Sequence, residues 1–129
     1  MTHFYLCGSR LYRVHYLGAD RDTWTGEYCC CGEVGDGRPI DGIAISGGLG
    51  YQVRLKNGDW QPLVHGYDIY DEKNGMAGVF DQQIDAVLIE GGETYRVAYG
   101  PSTSLIENVA KKVSQNLFGV LILKKMYLF

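Results

Sequence analysis

Apolar and polar residues alternate along short stretches of the chain, and one such alternation occurs three times. The stretches cover residues 12–16, 51–55 and 95–99, and each begins with tyrosine and has valine at its third position. A period of two places the first, third and fifth residues on one face and the polar or small residues on the other. The pattern predicts three half-buried β-strands of the same kind.

A second apolar pattern precedes each glycine turn and also recurs. Residues 40–45 (IDGIAI) correspond to residues 84–89 (IDAVLI), more loosely to 118–123 (FGVLIL), and in register to 2–6 (THFYL) at the N-terminus. Units of roughly 40 residues cannot bury an apolar face alone, so stacked copies must share one core. The chain is therefore expected to be a degenerate threefold repeat, with four copies of this strand and three of the tyrosine strand.

The turns between these patterns are rich in glycine. Gly47-Gly48, the glycine pair at 91–92 and Gly8-Ser9 are predicted to be tight hairpin turns, because such turns need positive φ. Asn57-Gly58 is a further turn signal before Trp60. The fold is predicted to be mostly β, with strands near 2–7, 11–17, 40–46, 50–56, 84–90, 94–99 and 118–125.

The C-terminal quarter departs from this plan. Ser104-Leu-Ile-Glu107 has the form of a capping box, and apolar residues follow at helical spacing. One helix at about 104–116 is expected, the alternative being a degenerate strand and turn of the third unit. The 129 residues fit a single domain, with repeats at about 12–46, 51–90 and 95–124 and an extra N-terminal strand.

Charge and hydropathy exclude two classes of partner. The net charge is −3 and no stripe of Lys and Arg is present to neutralise phosphates, so no nucleic-acid partner is expected. No apolar run reaches the roughly 18 residues of a membrane span, and no signal peptide opens the sequence. We expect a protein that acts where it is made, leaves by a route without a signal such as a phage particle, or has had its signal removed.

The cysteines and histidines predict neither a disulfide framework nor a metal site. Cys29, Cys30 and Cys31 are adjacent and point to alternating sides, so at most one or two could face Cys7 or each other. All four cysteines are expected to be reduced, and Cys29, Cys30 and Cys31 are expected to be dispensable for folding. Zinc ligands normally come as spaced pairs, and none is found here. No cofactor or metal is expected, and no catalytic motif is present, so the chain is not expected to be an enzyme.

The second unit resembles a known family. The stretch 51–60 (YQVRLKNGDW), the turn at 75–78 (GMAG) and the strand at 84–89 resemble the clostridial hydrophobic repeat with conserved tryptophan, the ChW repeat. Asp59 stands where the family has glycine before Trp60, and Asp41 and Asp85 stand for its glutamate. The first unit matches at both ends and the third only loosely.

Membership in this family would imply a β-prism in which each repeat supplies one of three sheets around a pseudo-threefold axis. It would also imply a bacterial surface-associated protein, mostly of Firmicutes, that binds carbohydrate, cell wall or other proteins. The absence of a secretion signal in this sequence departs from that pattern.

Function is predicted to be non-catalytic binding of carbohydrate or a cell-wall polymer. Sugars are bound by aromatic faces beside carboxylates and amides, and the inserted loop after Trp60 is rich in such side chains. The predicted ligand-binding residues are Tyr67, Asp68, Tyr70, Asp71, His65 and Trp60. Trp60 itself is expected to be a buried packing residue, with a ligand-binding face as the alternative. The alternative function is a phage or surface assembly protein that acts through protein–protein contacts.

Overall fold

A computed structural model describes residues 1–26, 30–91 and 93–100. These residues form nine strands and no helix, so the prediction of a mostly β fold is confirmed. The strand expected at 118–125 and the helix expected at 104–116 lie outside the described residues. The strands are β1 His3–Cys7, β2 Tyr12–Tyr16, β3 Trp24–Gly26, β4 Cys31–Val34, β5 Ile40–Ile45, β6 Tyr51–Leu55, β7 Ala77–Gly78, β8 Ile84–Ile89 and β9 Thr94–Ala98.

The nine strands belong to three sheets. The first sheet has the order β4-β1-β9, the second has β3-β2-β5-β7 and the third has β6-β8. In the second and third sheets a tyrosine strand pairs antiparallel with an isoleucine strand, Tyr12 opposite Ile45 and Tyr51 opposite Ile89. Both pairs shift register at the same point, just after His15 and just after Arg54. The two sheets are thus built to one plan, down to the position of the bulge.

The first sheet is completed by the two ends of the described chain. β9, the third tyrosine strand, pairs antiparallel with β1, and Tyr95 lies opposite Leu6. The N-terminal strand therefore takes the position that the isoleucine strands take in the other two sheets. The threefold prism and the division into three repeats stay predictions.

The glycine turns were predicted to be hairpins, and this is wrong for all three. β1 and β2, β5 and β6, and β8 and β9 follow one another along the chain but lie in different sheets. The turns are therefore corners, at which positive φ of Gly47 (100°) and Gly48 (77°) lets the backbone leave one sheet for the next. The Asn57-Gly58 turn does close a hairpin, since it brings Trp60 opposite Arg54.

Three short strands were not predicted. β3 and β7 are the edges of the second sheet, and β4 is an edge of the first. With two to four residues each, they are too short to show a period of two. β4 and β7 pair with β1 and β5 respectively, and so occupy corresponding places in their sheets.

The core lies between the sheets and consists of side chains from the inward faces of all three. Tyr12 and Tyr51 are its largest fully buried side chains. Each donates its hydroxyl proton to a glycine carbonyl, Tyr12 to Gly32 and Tyr51 to Gly66, as a buried phenol requires. The other core residues include Met1, Phe4, Leu6, Val14, Ile40, Ile43, Ile45, Val53, Val64, Ile84 and Val87.

The expectation that all the cysteines are reduced is wrong for two of them. Cys7 and Cys31 form a disulfide between β1 and β4, where they are directly opposite each other. Sequence spacing could not show this, because the pairing of β1 with β4 brings together residues that are 24 positions apart. Cys30 is exposed.

Candidate functional site

A tryptophan, a histidine and an aspartate meet on the outer face of the second sheet. Trp24 of β3 lies opposite His15 of β2, with ring centroids 5.3 Å apart. Nδ1 of His15 is 2.5 Å from Oδ1 of Asp41, and Asp41 is the residue at which the register shifts. A bulge re-aims side chains in this way, and here it turns the carboxylate towards the histidine.

The third sheet carries the same arrangement with different residues. Trp60 lies opposite Arg54, whose Cζ is 5.8 Å from the centroid of the indole. Nη2 of Arg54 donates to Oδ2 of Asp85 at 2.8 Å, and Asp85 again lies at the bulge. The tryptophan of each unit therefore packs on a basic side chain that is hydrogen-bonded to the aspartate of the isoleucine strand.

Burial distinguishes the two arrangements. His15 is 1% exposed and Asp41 is fully buried, whereas the side chains of Arg54 and Asp85 are 43% and 36% exposed. Phe80 closes the first arrangement, with its ring 4.8 Å from that of His15. The second arrangement is open to solvent.

The hydrogen bonds of His15 place a proton on Nε2. Nε2 contacts the carbonyl oxygen of Asp20 at 2.8 Å, and because a carbonyl only accepts, Nε2 carries a proton. One further proton lies between Nδ1 and Asp41, and the pair is neutral overall whichever atom holds it. The other oxygen of Asp41 accepts from the amide of Asp81 at 2.8 Å. With both nitrogens and both oxygens satisfied, this buried pair is a structural element.

Trp60 is not the buried packing residue that the repeat suggested, since it is 43% exposed. Trp24 is half-buried because Phe80 packs against it and its indole N–H donates to the carbonyl of Arg21 at 2.8 Å. Trp60 has no such donor contact or ring neighbour among the described residues, so it presents aromatic surface to solvent.

The two predicted aspartates of the loop after Trp60 serve its own backbone. Oδ1 of Asp68 accepts from the amide of Tyr70 at 2.9 Å. Oδ1 of Asp71 accepts from the amides of Lys73 and Asn74 at 3.1 and 3.2 Å. These are local turn bonds of the kind that short polar side chains form. They hold the loop in shape and leave the second carboxylate oxygens for other contacts.

The other predicted loop residues are placed differently from one another. Tyr70 is 73% exposed, more than any other large apolar side chain in the described part of the chain. Tyr67 is half-buried, and Cζ of Arg13 lies 5.6 Å from the centroid of its ring. His65 is exposed, and its amide donates to Oδ1 of Asn74 at 3.0 Å. Tyr70 and Trp60 are thus the predicted residues that offer open aromatic surface.

A groove of about 310 Å³ runs between the segment after Trp60 and the end of this loop. None of the six predicted residues lines it. Its polar side chains are Gln61, Glu72 and Lys73, and its apolar lining is Pro62, Val64, Met76, Ala77 and Val79. An apolar floor with a few polar groups at the rim is the usual form of a small-molecule site.

The sequence contained a signal for the residues that were missed. Asp41 and Asp85 occupy the same place in two isoleucine strands, and His15 and Arg54 occupy the same place in two tyrosine strands. Their recurrence could have been read as a cation–carboxylate pair. The groove residues Glu72 and Lys73 carry no such signal, because charged residues in a loop are ordinary.

Tyr51 connects the loop to the core by a hydrogen bond, and its ionisation makes the stability of the protein depend on pH. Its hydroxyl donates to the carbonyl of Gly66 at 2.6 Å, and burial raises the pKa of Tyr51 to about 12. Because the pKa of Tyr51 in the folded protein lies above its ordinary value of 10.0, Tyr51 contributes its full stabilisation below pH 10. That contribution is lost as the pH rises towards 12.

We therefore expect the protein to lose about 2–3 kcal/mol of unfolding free energy between pH 10 and 12 through this one group. Tyr51→Phe should lack that component, while the contributions of the other tyrosines stay common to both proteins. Urea unfolding at pH 8, 10 and 11.5 measures the difference. A constant gap between the two proteins across this range would show that Tyr51 titrates normally.

Neither a metal centre nor a membrane-spanning helix is found in residues 1–26, 30–91 and 93–100. No group of three or more His, Cys, Asp and Glu side chains converges there. No helix in those ranges has the length and apolar character needed to cross a membrane.

Comparison with family models, with curated protein sequences and with solved structures gave no match. The resemblance to the ChW repeat therefore rests on the residues themselves.

Proposed function

We propose that the protein is a non-catalytic module that binds carbohydrate or a cell-wall polymer on the side of its third sheet. The observation that carries this proposal is the exposure of Trp60 over the Arg54–Asp85 pair, where the matching Trp24 is covered. An exposed indole supplies a flat apolar surface for a sugar ring. The guanidinium and carboxylate beside it can donate to and accept from sugar hydroxyls.

The groove extends this surface, and this extension favours a polymer as the ligand instead of a single sugar. Gln61 directly follows Trp60 and lines the groove, and Glu72 and Lys73 lie at its other side. Loop 65–75 holds its shape through its own backbone bonds, among them Gly66 N to Asn74 O at 2.7 Å and Asp68 N to Gly75 O at 2.9 Å. A site that is already ordered loses little conformational entropy on binding.

The disulfide supports a location outside the reducing cytosol. Disulfides persist mainly in secreted and surface proteins and are rare in cytosolic ones. The Cys7–Cys31 bond therefore agrees with a protein of the cell surface or of a particle exposed to the medium.

Trp60→Ala should weaken retention on the ligand while leaving the fold intact. Truncation of a side chain that is 43% exposed should shift the melting temperature by only a few degrees, as surface changes do. Retention is measured by peptidoglycan pull-down and on a glycan array. We expect at least a tenfold loss for Trp60→Ala, a partial loss for Trp60→Phe, and a further loss when Tyr70→Ala is added.

The control is Leu17→Ala, which removes an apolar side chain of similar exposure, 38%, that lies outside this surface. It should bind like the wild type. Unchanged retention of Trp60→Ala would refute the site. Light scattering decides the assembly alternative: a mass that grows with concentration, together with no retention on any glycan, would favour a protein–protein role.

A further inference from the structure

A second pocket, of about 220 Å³, lies on the first sheet, away from Trp60 and its groove. It is lined by His3, Tyr5, Glu33, Arg96, Val97 and Ala98. Tyr5 is the central residue, since it lies directly opposite Glu33 on β4 and opposite Arg96 on β9. The pocket therefore spans all three strands of the sheet. It is smaller than the roughly 300–1,000 Å³ of sites for drug-sized ligands, which suits a single small ring.

One buried atom in this pocket lacks a partner. His3 is 3% exposed, and its Nε2 has no hydrogen bond among the described residues. A buried polar atom left unpaired costs about 1–3 kcal/mol, so such atoms are rare without a purpose.

In the neutral imidazole the missing partner is a donor. Nδ1 of His3 is 3.1 Å from Oγ1 of Thr2, and the single hydroxyl proton of Thr2 is donated to the carbonyl of Gly100. Thr2 therefore accepts from Nδ1–H, which leaves Nε2 of the neutral ring as a lone-pair acceptor. A ligand that satisfies it brings a hydroxyl or an N–H group.

The opposite charges of Arg96 and Glu33 balance each other in the pocket, although the two side chains do not form an ion pair. Cζ of Arg96 lies 4.3 Å from the centroid of the Tyr5 ring, and neither Arg96 nor Glu33 takes part in an ion pair within the described residues. The stacked guanidinium is a planar donor held in one orientation, and the carboxylate is an acceptor. Together they favour a ligand that has no net charge and both donates and accepts.

We propose that this pocket binds one neutral monosaccharide ring. Its hydroxyls would donate to Glu33 and accept from Arg96, and one would donate to His3 Nε2 once the imidazole turns towards the pocket. Tyr5 and Ala98 would contact its apolar face. This site is separate from the polymer site proposed at Trp60 and does not depend on it. With both sites present, one molecule contacts glycan on two of its sheets.

The test uses the whole protein, labelled with ¹⁵N, and four probes: glucose, galactose, mannose and N-acetylglucosamine. At least one should produce saturable shifts of amide signals in β1 and β9, with a Kd in the millimolar range. Arg96→Ala and Glu33→Ala should each weaken this binding about tenfold or more. Arg38→Ala is the matched control, because it removes an arginine that likewise stacks on a tyrosine, 4.0 Å from the Tyr16 ring, elsewhere on the surface.

Three outcomes would overturn the proposal: no saturable shift with any of the four sugars up to about 100 mM, far above the millimolar scale of weak ligands; tighter binding of glucuronate than of every neutral sugar, which would mark an anion site; or undiminished binding by Arg96→Ala. The Trp60→Ala protein should retain the β1 and β9 shifts. Failure at this pocket is thereby distinguished from failure at the groove.

Discussion

Asp41→Ala is expected to lower the free energy of unfolding by about 3–5 kcal/mol, because it removes one partner of a buried pair and leaves two polar groups without their hydrogen bonds. The change leaves Nδ1 of His15 without its partner at a site that is 1% exposed. It also leaves the amide of Asp81 without its acceptor. Urea unfolding at neutral pH measures the loss.

Asp85→Ala is the matched control, since Asp85 holds the same position in the third sheet. Its pair with Arg54 is largely solvated, and exposed pairs contribute about 0–1 kcal/mol. If Asp41→Ala proves too unstable to purify, Asp41→Asn keeps the side-chain shape and should show an intermediate loss. Equal losses for Asp41→Ala and Asp85→Ala would mean that burial does not set the strength of these pairs.

Removal of the disulfide is expected to lower the free energy of unfolding by about 2–4 kcal/mol, chiefly by freeing the unfolded chain. The Cys7→Ser, Cys31→Ser double variant should show this loss in the absence of reductant, since it opens a cross-link over 24 residues. The wild type should show the same loss in dithiothreitol, and reductant should not destabilise the double variant further.

Cys30→Ser is the control for the disulfide, because Cys30 is exposed and lies beside the bond without forming it. It should unfold like the wild type, with and without reductant. Thiol titration of the denatured, unreduced protein should find at most two of the four cysteines. Four titratable thiols would restore the original expectation that all are reduced.

The structure places the predicted site residues in different surroundings. Trp60 and Tyr70 are exposed, as a binding surface needs, but Asp68 and Asp71 use one carboxylate oxygen each on their own loop. Arg54 and Asp85 were not identified, although their counterparts recur in the sequence. A side chain's type indicates what it can bind, whereas its hydrogen-bond partners depend on how the backbone folds around it.

The sequence by itself determined the long strands and the faces they bury. The alternation of period two and the recurring isoleucine pattern predicted six strands where the structure has them, namely β1, β2, β5, β6, β8 and β9. Alternation is a local property of the sequence that burial of one face requires. Only the tertiary structure decided which strands pair. β9 pairs with β1, and the glycine turns that were expected to close hairpins are corners between sheets. Strand pairing depends on the shared core, which the sequence pattern does not show. The same packing brought Cys7 to Cys31 and Phe80 over His15, and left Trp60 open.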